Sequence, residues 1–279
     1  MKESIKNLDR KLESVYSNLR HRTEASNGVF CACIRHGIDP DKFLLDIENG
    51  SAFDFNSFSK SRSGNLLDFL HVDYHPIAQM LIDITAGGNG GMASIGRCEF
   101  FISFLSNFKS LISTEGRGDL KCDGKYEEVK YNGGKICFEK KAGNEIHRSF
   151  IELMEQSQIN LKTKDYVFNR KSDRKLYNEF ELNVLNGVFW QAITNEVTEP
   201  LTNKQWTSKA IARGFQDLFE HVDSLILINE NNDFVRFFSV SEAIEFYEDK
   251  LDIMMSEFEL RMHQSNVPSF YVGKNEINS

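Results

Sequence analysis

Two tight-turn signals divide residues 119–139 into short alternating segments, and this stretch constrains the fold more than any other part of the sequence. Asp123-Gly124 and Asn132-Gly133-Gly134 combine residue types that adopt a positive φ at low cost, which is typical of hairpin turns. Polar and apolar residues alternate in the segment between them, Lys125–Tyr131, as expected for a β-strand. We therefore predict a three-stranded antiparallel meander whose third strand is Lys135–Glu139.

Two carboxylates and one ammonium group are expected to meet at one end of this small sheet. Asp119 comes at the start of the first strand, opposite the end of the middle strand, where alternation puts Glu128 and Lys130 on one face. Carboxylate oxygens are suited to a hard cation such as Mg²⁺, and a nearby lysine can orient water and offset charge on a phosphate. The alternative is an ordinary half-exposed hairpin, because Glu-x-Lys occurs again at Glu139 and Glu248.

The spacing of these residues resembles a known family. Asp119, a gap of eight residues and then Glu128-Val129-Lys130 is similar to the motif of the PD-(D/E)XK, or restriction-endonuclease-like, nucleases. The resemblance implies an α/β (α+β) fold whose core runs helix, three-stranded meander, helices, strand. It also implies that Asp119 and Glu128 bind Mg²⁺, for which Mn²⁺ can substitute, and that Lys130 is the catalytic lysine. The sequence departs from the motif at Gly118, where many members have proline.

Further site residues follow from the same resemblance. Many members carry a glutamate on the helix before the meander, and Glu99, in a helix predicted over 92–109, takes that place. In the family the backbone carbonyl of the residue equivalent to Val129 also faces the metal. Glu99 has small and apolar helix neighbours, so its carboxylate needs a polar partner unless it points to solvent. Basic residues near the site are expected to contact DNA phosphates: Arg117, Lys121 and Lys135.

Glycine-rich residues 87–91 predict a hinge between two regions. Residues 1–86 are predicted to be an N-terminal, mainly helical region, and residues 92–279 a nuclease-like core with C-terminal helices. The hinge is not followed by Gly-Lys-Ser/Thr, so it is not a phosphate-binding P-loop. Apolar segments at 224–229 and 234–238 predict additional strands of the core.

The overall charge excludes a globally basic nucleic-acid binder, because the formal net charge is −8. Residues 96–141 hold nine Lys/Arg and seven Asp/Glu, a balance of 9 − 7 = +2, which favours a confined site. There is no leader and no apolar run of membrane-spanning length, so we expect a cytoplasmic protein without membrane contact. The five cysteines are expected to be reduced. Only four prolines, with abundant Asn, Lys and Phe, are typical of an AT-rich genome such as that of a phage, in which case the protein could also be in the virion.

These features together predict a Mg²⁺-dependent endonuclease that hydrolyses phosphodiester bonds in DNA. RNA and branched DNA remain open as substrates. The alternative is a non-catalytic DNA-binding protein on the same fold, such as a phage structural or DNA-end-binding protein. A homodimer is expected by analogy, since restriction-like enzymes often dimerise to cut both strands.

Overall fold

The computed structural model of the chain describes residues 6–7, 9–10, 22–84, 95–112, 118–137, 203–251, 261–262, 268–273 and 276–278. The chain divides into two compact units. The first comprises residues 1–132 and 221–238, and the second comprises residues 133–220 and 239–279. The hinge predicted at 87–91 lies outside the described residues and stays a prediction.

The described helices and strands alternate irregularly along the chain, as in a mixed α/β protein. The helices are α1 (Arg22–Arg35), α2 (Pro40–Glu48), α3 (Phe55–Lys60), α4 (His75–Ile82), α5 (Glu99–Leu105), α6 (Asn203–Phe219) and α7 (Val240–Glu248). The strands are β1 (Ser63–Asn65), β2 (Ser110–Ile112), β3 (Leu120–Cys122), β4 (Lys125–Tyr131), β5 (Gly134–Cys137), β6 (Ser224–Ile228), β7 (Asp233–Phe237), β8 (Arg261–Met262) and β9 (Pro268–Val272). Short 3₁₀ helices cover Leu66–Phe69, Val72–Tyr74 and Glu276–Asn278.

Aspartates cap two of the N-terminal helices. The Asp39 carboxylate accepts a hydrogen bond from the N–H of Asp41 (2.9 Å) at the start of α2. The Asp54 carboxylate accepts one from the N–H of Ser57 (3.0 Å) at the start of α3. Such caps satisfy backbone donors that the first helical turn leaves without partners.

The sheet of the first unit is mixed, with the strand order β1-β7-β6-β4-β3-β2. β4 pairs in parallel with β6, and the other neighbours pair antiparallel. The turn between β3 and β4 follows the sequence prediction, because Asp123 and Gly124 both have a positive φ (50° and 81°). The strands predicted at 224–229 and 234–238 are confirmed as β6 and β7.

The predicted third strand of the meander was wrong in its pairing. β5 (Gly134–Cys137) overlaps the predicted segment Lys135–Glu139, but it pairs antiparallel with β9 in the second unit and not with β4. The second turn is present, with Asn132 and Gly133 at φ values of 42° and 82°. A turn fixes the local direction of the chain but not the partner of the next strand. The free edge of β4 is taken by the apolar strand β6, and the meander consists of β2, β3 and β4.

Phenylalanine rings fill the core of the first unit. Phe58 lies at the centre of a ring cluster, with its centroid 5.4 Å from that of Phe53 and 5.2 Å from that of Phe234. Phe101 of α5 adds an edge-on contact to Phe53 at 5.7 Å. Val129 of β4 belongs to this core, so alternation places the side chains on either side of it on the opposite face of the strand. The helix predicted over 92–109 is the shorter α5, whose residues are all buried.

The second unit contains α6, α7 and the antiparallel sheet β5-β9-β8. Phe215 of α6 lies between Tyr247 of α7 and Phe270 of β9, with ring centroids 5.4 Å and 6.2 Å away. These aromatic contacts join both helices to the small sheet.

In the parts of the chain that the structure describes, no helix is long and apolar enough to cross a membrane. Cys31, Cys33, Cys98 and Cys122 are free thiols, in agreement with the reduced state expected from the sequence.

Replacing Phe58 with alanine tests the position of the core. The side chain is completely buried among other rings, so Phe58→Ala should lower the free energy of unfolding by about 3–5 kcal/mol in urea denaturation. The control is Leu45→Ala. Because Leu45 is 54% exposed, removing its side chain should lower the free energy of unfolding only slightly. Equal effects of the two substitutions would contradict this assignment of the core.

Candidate active site

The β3–β4 hairpin brings the first carboxylate next to the second. The N–H of Asp119 donates a hydrogen bond to the carbonyl of Glu127 (2.8 Å), and Leu120 pairs with the same residue. This register puts Asp119 opposite Glu128, and residues directly opposite in an antiparallel pair share a face. The structure therefore places Asp119 on the face of Glu128 and Lys130, as the sequence predicts.

Lys130 joins the two carboxylates. Its Nζ donates a hydrogen bond to Oε1 of Glu128 and lies 3.6 Å from Oδ2 of Asp119. The side chains of Lys130 and Glu128 are only 16% and 17% exposed, so this is a largely buried ionic cluster and not a solvated charge run. Asp119 is held from the other side as well, because its Oδ2 accepts a hydrogen bond from the N–H of Val129 (2.9 Å).

Glu99 is a third carboxyl group near the cluster, close enough for the charges of Asp119 and Lys130 to act on its pKa. It is the first residue of α5 and is 8% exposed. Burial raises its pKa to about 8, and the negative charge of Asp119 acts in the same direction, while the N–H of Gly96 and the charge of Lys130 oppose the shift. Glu99 therefore faces the site rather than solvent, and in this arrangement it largely holds its proton at neutral pH.

The same surroundings also shift the pKa values of Glu128 and Lys130. Burial raises the pKa of Glu128, and the charge of Asp119 raises it further against the opposing effect of Lys130. Burial lowers the pKa of Lys130, but the carboxylates of Asp119 and Glu128 raise it more, and the net pKa lies above its ordinary value. Lys130 is accordingly a cation at neutral pH.

Gly118 has a backbone conformation that proline cannot adopt. Its φ is 56°, and a Cβ at this position would lie 2.8 Å from the carbonyl oxygen of Glu127. Proline is restricted to a φ of about −65°, so it cannot adopt this backbone conformation. In this hairpin, a glycine before Asp119 allows the close approach of β3 to β4.

The three basic residues predicted to contact phosphates have different positions. Lys121 lies on the site face, two residues beyond Asp119, with its Nζ 5.1 Å from the centroid of the Tyr126 ring. Lys135 lies on β5 of the second unit, and the pairing expected to bring it beside β4 is not observed. Arg117 lies outside the described residues.

The opposite face of β4 carries a buried ion pair that the sequence reasoning missed. Nε of Arg236 lies 3.6 Å from Oε1 of Glu127, which also accepts a hydrogen bond from the hydroxyl of Ser224 (2.8 Å). Nη1 of Arg236 donates to the carbonyl of Phe58 (2.6 Å). The side chain of Arg236 has no exposed area, and these contacts hold β4, β6, β7 and α3 together. The pair depends on the parallel pairing of β4 with β6, which joins Glu127 to Ser224, 97 positions further along the chain, and has no local signal in the sequence.

The other Glu-x-Lys segments are not equivalent to the one on β4. Glu248 is an exposed residue at the end of the helix α7, not on a strand. Glu139 lies outside the described residues. Of the two described copies, only the copy at Glu128 has a second carboxylate opposite it.

The carboxylate oxygens of Asp119 and Glu128 have the chemistry that Mg²⁺ prefers. Lys130 supplies the positive charge in the arrangement observed. Among the described residues, no three His, Cys, Asp or Glu side chains form a group that could hold a metal ion as they stand.

No protein-family model matches the chain, and no curated protein or solved structure matches it significantly. The inference of function therefore rests on the residues of the site.

Replacing Glu99 with glutamine tests the surroundings of this carboxyl group. Its folded-state pKa of about 8 exceeds the ordinary value of 4.5, so the folded protein binds the proton more tightly than the unfolded chain. The resulting stabilisation is complete below about pH 4.5 and is lost as the pH rises through about 8. The free energy of unfolding of the wild type should therefore fall relative to Glu99→Gln across this window, by on the order of 1 kcal/mol or more.

Urea denaturation at several pH values, with chelator present, measures this difference. The control is Glu245→Gln, which neutralises an exposed carboxylate on α7 and should leave the pH dependence nearly unchanged. A Glu99→Gln protein whose stability follows pH as the wild type does would contradict the buried position of Glu99.

Proposed function

We propose that this protein is a metal-dependent deoxyribonuclease that hydrolyses phosphodiester bonds in DNA. The observation that carries the proposal is the convergence of Asp119, Glu128 and Lys130 on one face of β3 and β4. Burying two carboxylates and an ammonium group is expensive, and a hydrophobic replacement is often as stable, so stability alone is a weak reason for such a cluster. A catalytic role gives a reason for these residue types in this arrangement.

The order of the elements supports a restriction-endonuclease-like core. α5 precedes the meander β2-β3-β4, α6 follows along the chain, and β6 then pairs in parallel with β4. This is the order that the resemblance to PD-(D/E)XK nucleases implies. The meander uses β2 instead of β5, so the motif residues lie on its second and third strands.

The proposed metal ligands are the carboxylates of Asp119 and Glu128, together with Glu99 and the backbone carbonyl of Val129. Within the described residues, Asp119 makes its contacts through Oδ2 and Glu128 through Oε1. The second carboxylate oxygen of each residue is the natural donor to a cation. A bound Mg²⁺, or Mn²⁺ in its place, would supply Lewis acidity at a phosphate oxygen and lower the pKa of the attacking water.

Lys130 acts as a cation in this proposal. Because its pKa is raised above the ordinary value, the ammonium group keeps its proton at neutral pH and is not a general base. It donates hydrogen bonds to the attacking water and to the phosphate, on which negative charge develops. The water oxygen bonds to phosphorus as the phosphorus–oxygen ester bond breaks. One proton of the water is lost to solvent and the leaving oxygen takes up a proton from solvent, which leaves a hydroxyl on one product and a phosphate on the other.

Lys121 and Tyr126 extend the proposed site along the same face. The hairpin register pairs these residues next to the Asp119–Glu128 pair, and both are half-buried. Asp223 fixes the backbone of Tyr126, because its Oδ2 accepts from the N–H of Tyr126 (2.8 Å) and its N–H donates to the carbonyl (2.7 Å). We infer that Lys121 contacts a DNA phosphate, whereas Arg117 and Lys135 stay predictions from the sequence. A homodimer and a phage origin also stay predictions.

The second candidate is a DNA-binding protein without catalytic activity. It is favoured by the ion pair between Lys130 and Glu128, which already neutralises the charge of Glu128, and by the lack of a three-residue metal group among the described residues. In that case the cluster would stabilise the hairpin, and DNA binding would not depend on a divalent cation.

A nuclease assay distinguishes the two candidates. The substrates are linear, circular, single-stranded and branched DNA and an RNA of matching sequence, each with Mg²⁺, Mn²⁺ or chelator. We expect cleavage only with metal. Asp119→Asn and Glu128→Gln, which preserve size, should each lower the rate by about 10²-fold or more, because they remove charges that bind the metal.

The matched control for the second variant is Glu248→Gln, which changes the same residue type in the exposed Glu-x-Lys at the end of α7. It should cleave like the wild type. Cleavage that persists in chelator would contradict the proposed site. An equal loss of cleavage in Glu128→Gln and Glu248→Gln would contradict it as well. Metal-independent DNA binding without cleavage of any substrate would favour the second candidate.

A further inference from the structure

Gly96 lies directly against the carboxyl group of Glu99. A Cβ built on Gly96 would be 2.3 Å from Oε1 and 3.1 Å from Cδ of Glu99, far inside any normal contact distance. Gly96 does not have a positive φ, so the backbone conformation itself accepts other residues. A side chain at position 96 is excluded in this arrangement because the carboxyl group of Glu99 occupies the space that its Cβ would need.

The backbone around Gly96 also holds this carboxyl group. The N–H of Gly96 is hydrogen-bonded to the Glu99 side chain, which makes it a donor aimed at the carboxylate. Carboxylates that accept backbone N–H groups are fixed in position as well as stabilised in charge. Gly96 therefore contributes both a donor and an open surface to the same side chain.

The two residues between them form a sharp bend. Cys98 is completely buried and has a φ of 66°, a conformation that is costly for a residue with a side chain. Its N–H donates to the carbonyl of Ile82 at the end of α4 (3.2 Å). Arg97 points outward, with Nε 3.6 Å from Asp83 and its guanidinium 5.8 Å from the ring centroid of Tyr131. The bend turns Glu99 inward while Arg97 anchors the outer side.

We propose that Gly96 is a positioning residue, whose missing side chain and backbone N–H hold the carboxyl group of Glu99 toward Asp119 and Lys130. This inference rests on the proposed function, because it assigns Gly96 to the arrangement of a metal ligand. A methyl group at position 96 displaces the carboxyl group, which is the movable end of a side chain, and leaves the backbone of α5 in place.

Binding of Mn²⁺ alone, followed by calorimetry, tests the functional part of this proposal. Gly96→Ala should weaken Mn²⁺ binding by at least about tenfold, as expected when a group that orients a metal ligand is lost. Glu99→Gln should have a similar effect. The double variant Gly96→Ala/Glu99→Gln should bind Mn²⁺ within about twofold of Glu99→Gln, because no carboxylate remains to be positioned.

Unfolding in urea tests the contact without any metal. Gly96→Ala should lower the urea midpoint in the wild-type background but not in a Glu99→Ala background, where the space is empty. The control glycine is Gly28, in the middle of α1, where a Cβ would come no closer than 4.0 Å to Ile84. Gly28→Ala should lower neither Mn²⁺ affinity nor the urea midpoint.

Several results would overturn the positioning role of Gly96. One is a folded Gly96→Ala variant that binds Mn²⁺ with wild-type affinity. Another is a double variant whose fold-loss of Mn²⁺ affinity equals the product of the losses in the two single variants. Equal shifts of the urea midpoint in the wild-type and Glu99→Ala backgrounds would show that Gly96 acts on the backbone alone. A wild-type protein that neither binds Mn²⁺ nor cleaves DNA would instead contradict the proposed function, and the urea experiment would still decide whether Gly96 holds Glu99.

Discussion

Burial of the ionic cluster of Lys130, Asp119 and Glu128 constrains the fold around it. Removing these charges from water is costly, so each must be paired inside the protein. Lys130 bonds to Glu128, and Asp119 accepts from the backbone of β4. The third carboxylate, Glu99, meets the same demand by retaining its proton and by its hydrogen bond to the backbone of Gly96. A divalent cation together with Lys130 would meet the demand differently, because their three positive charges would balance all three carboxylates.

The surrounding sheet holds this cluster in place from both sides. β4 lies between β3, which carries Asp119, and β6, with which it pairs in parallel. On the opposite face, the buried pair of Glu127 and Arg236 ties β4 to β7, and Arg236 also bonds to the carbonyl of Phe58. A strand held on both edges and on its reverse face keeps its side chains in fixed directions, as a preorganised site requires.

Local features of the fold could be predicted from the sequence, and long-range ones could not. Asp123-Gly124 specified its turn through the positive φ that these residues tolerate, and alternation correctly placed Glu128 and Lys130 on one face. The partner of β5 was missed because pairing depends on competition between distant strands for the edge of β4. The roles of Gly96 and Arg236 were missed for a similar reason: each depends on a contact made by the folded chain, and neither residue stands out in the sequence.

A crystal structure of the protein grown with Mn²⁺, with data collected for anomalous scattering from manganese, would show directly whether the cluster binds a metal. We expect one anomalous peak within bonding distance of carboxylate oxygens of Asp119 and Glu128, on the face of β4 that carries Lys130. Crystals that contain Mn²⁺ but show no peak there, with the ion pair between Lys130 and Glu128 unchanged, would contradict this expectation. The cluster would then be a structural element of the hairpin.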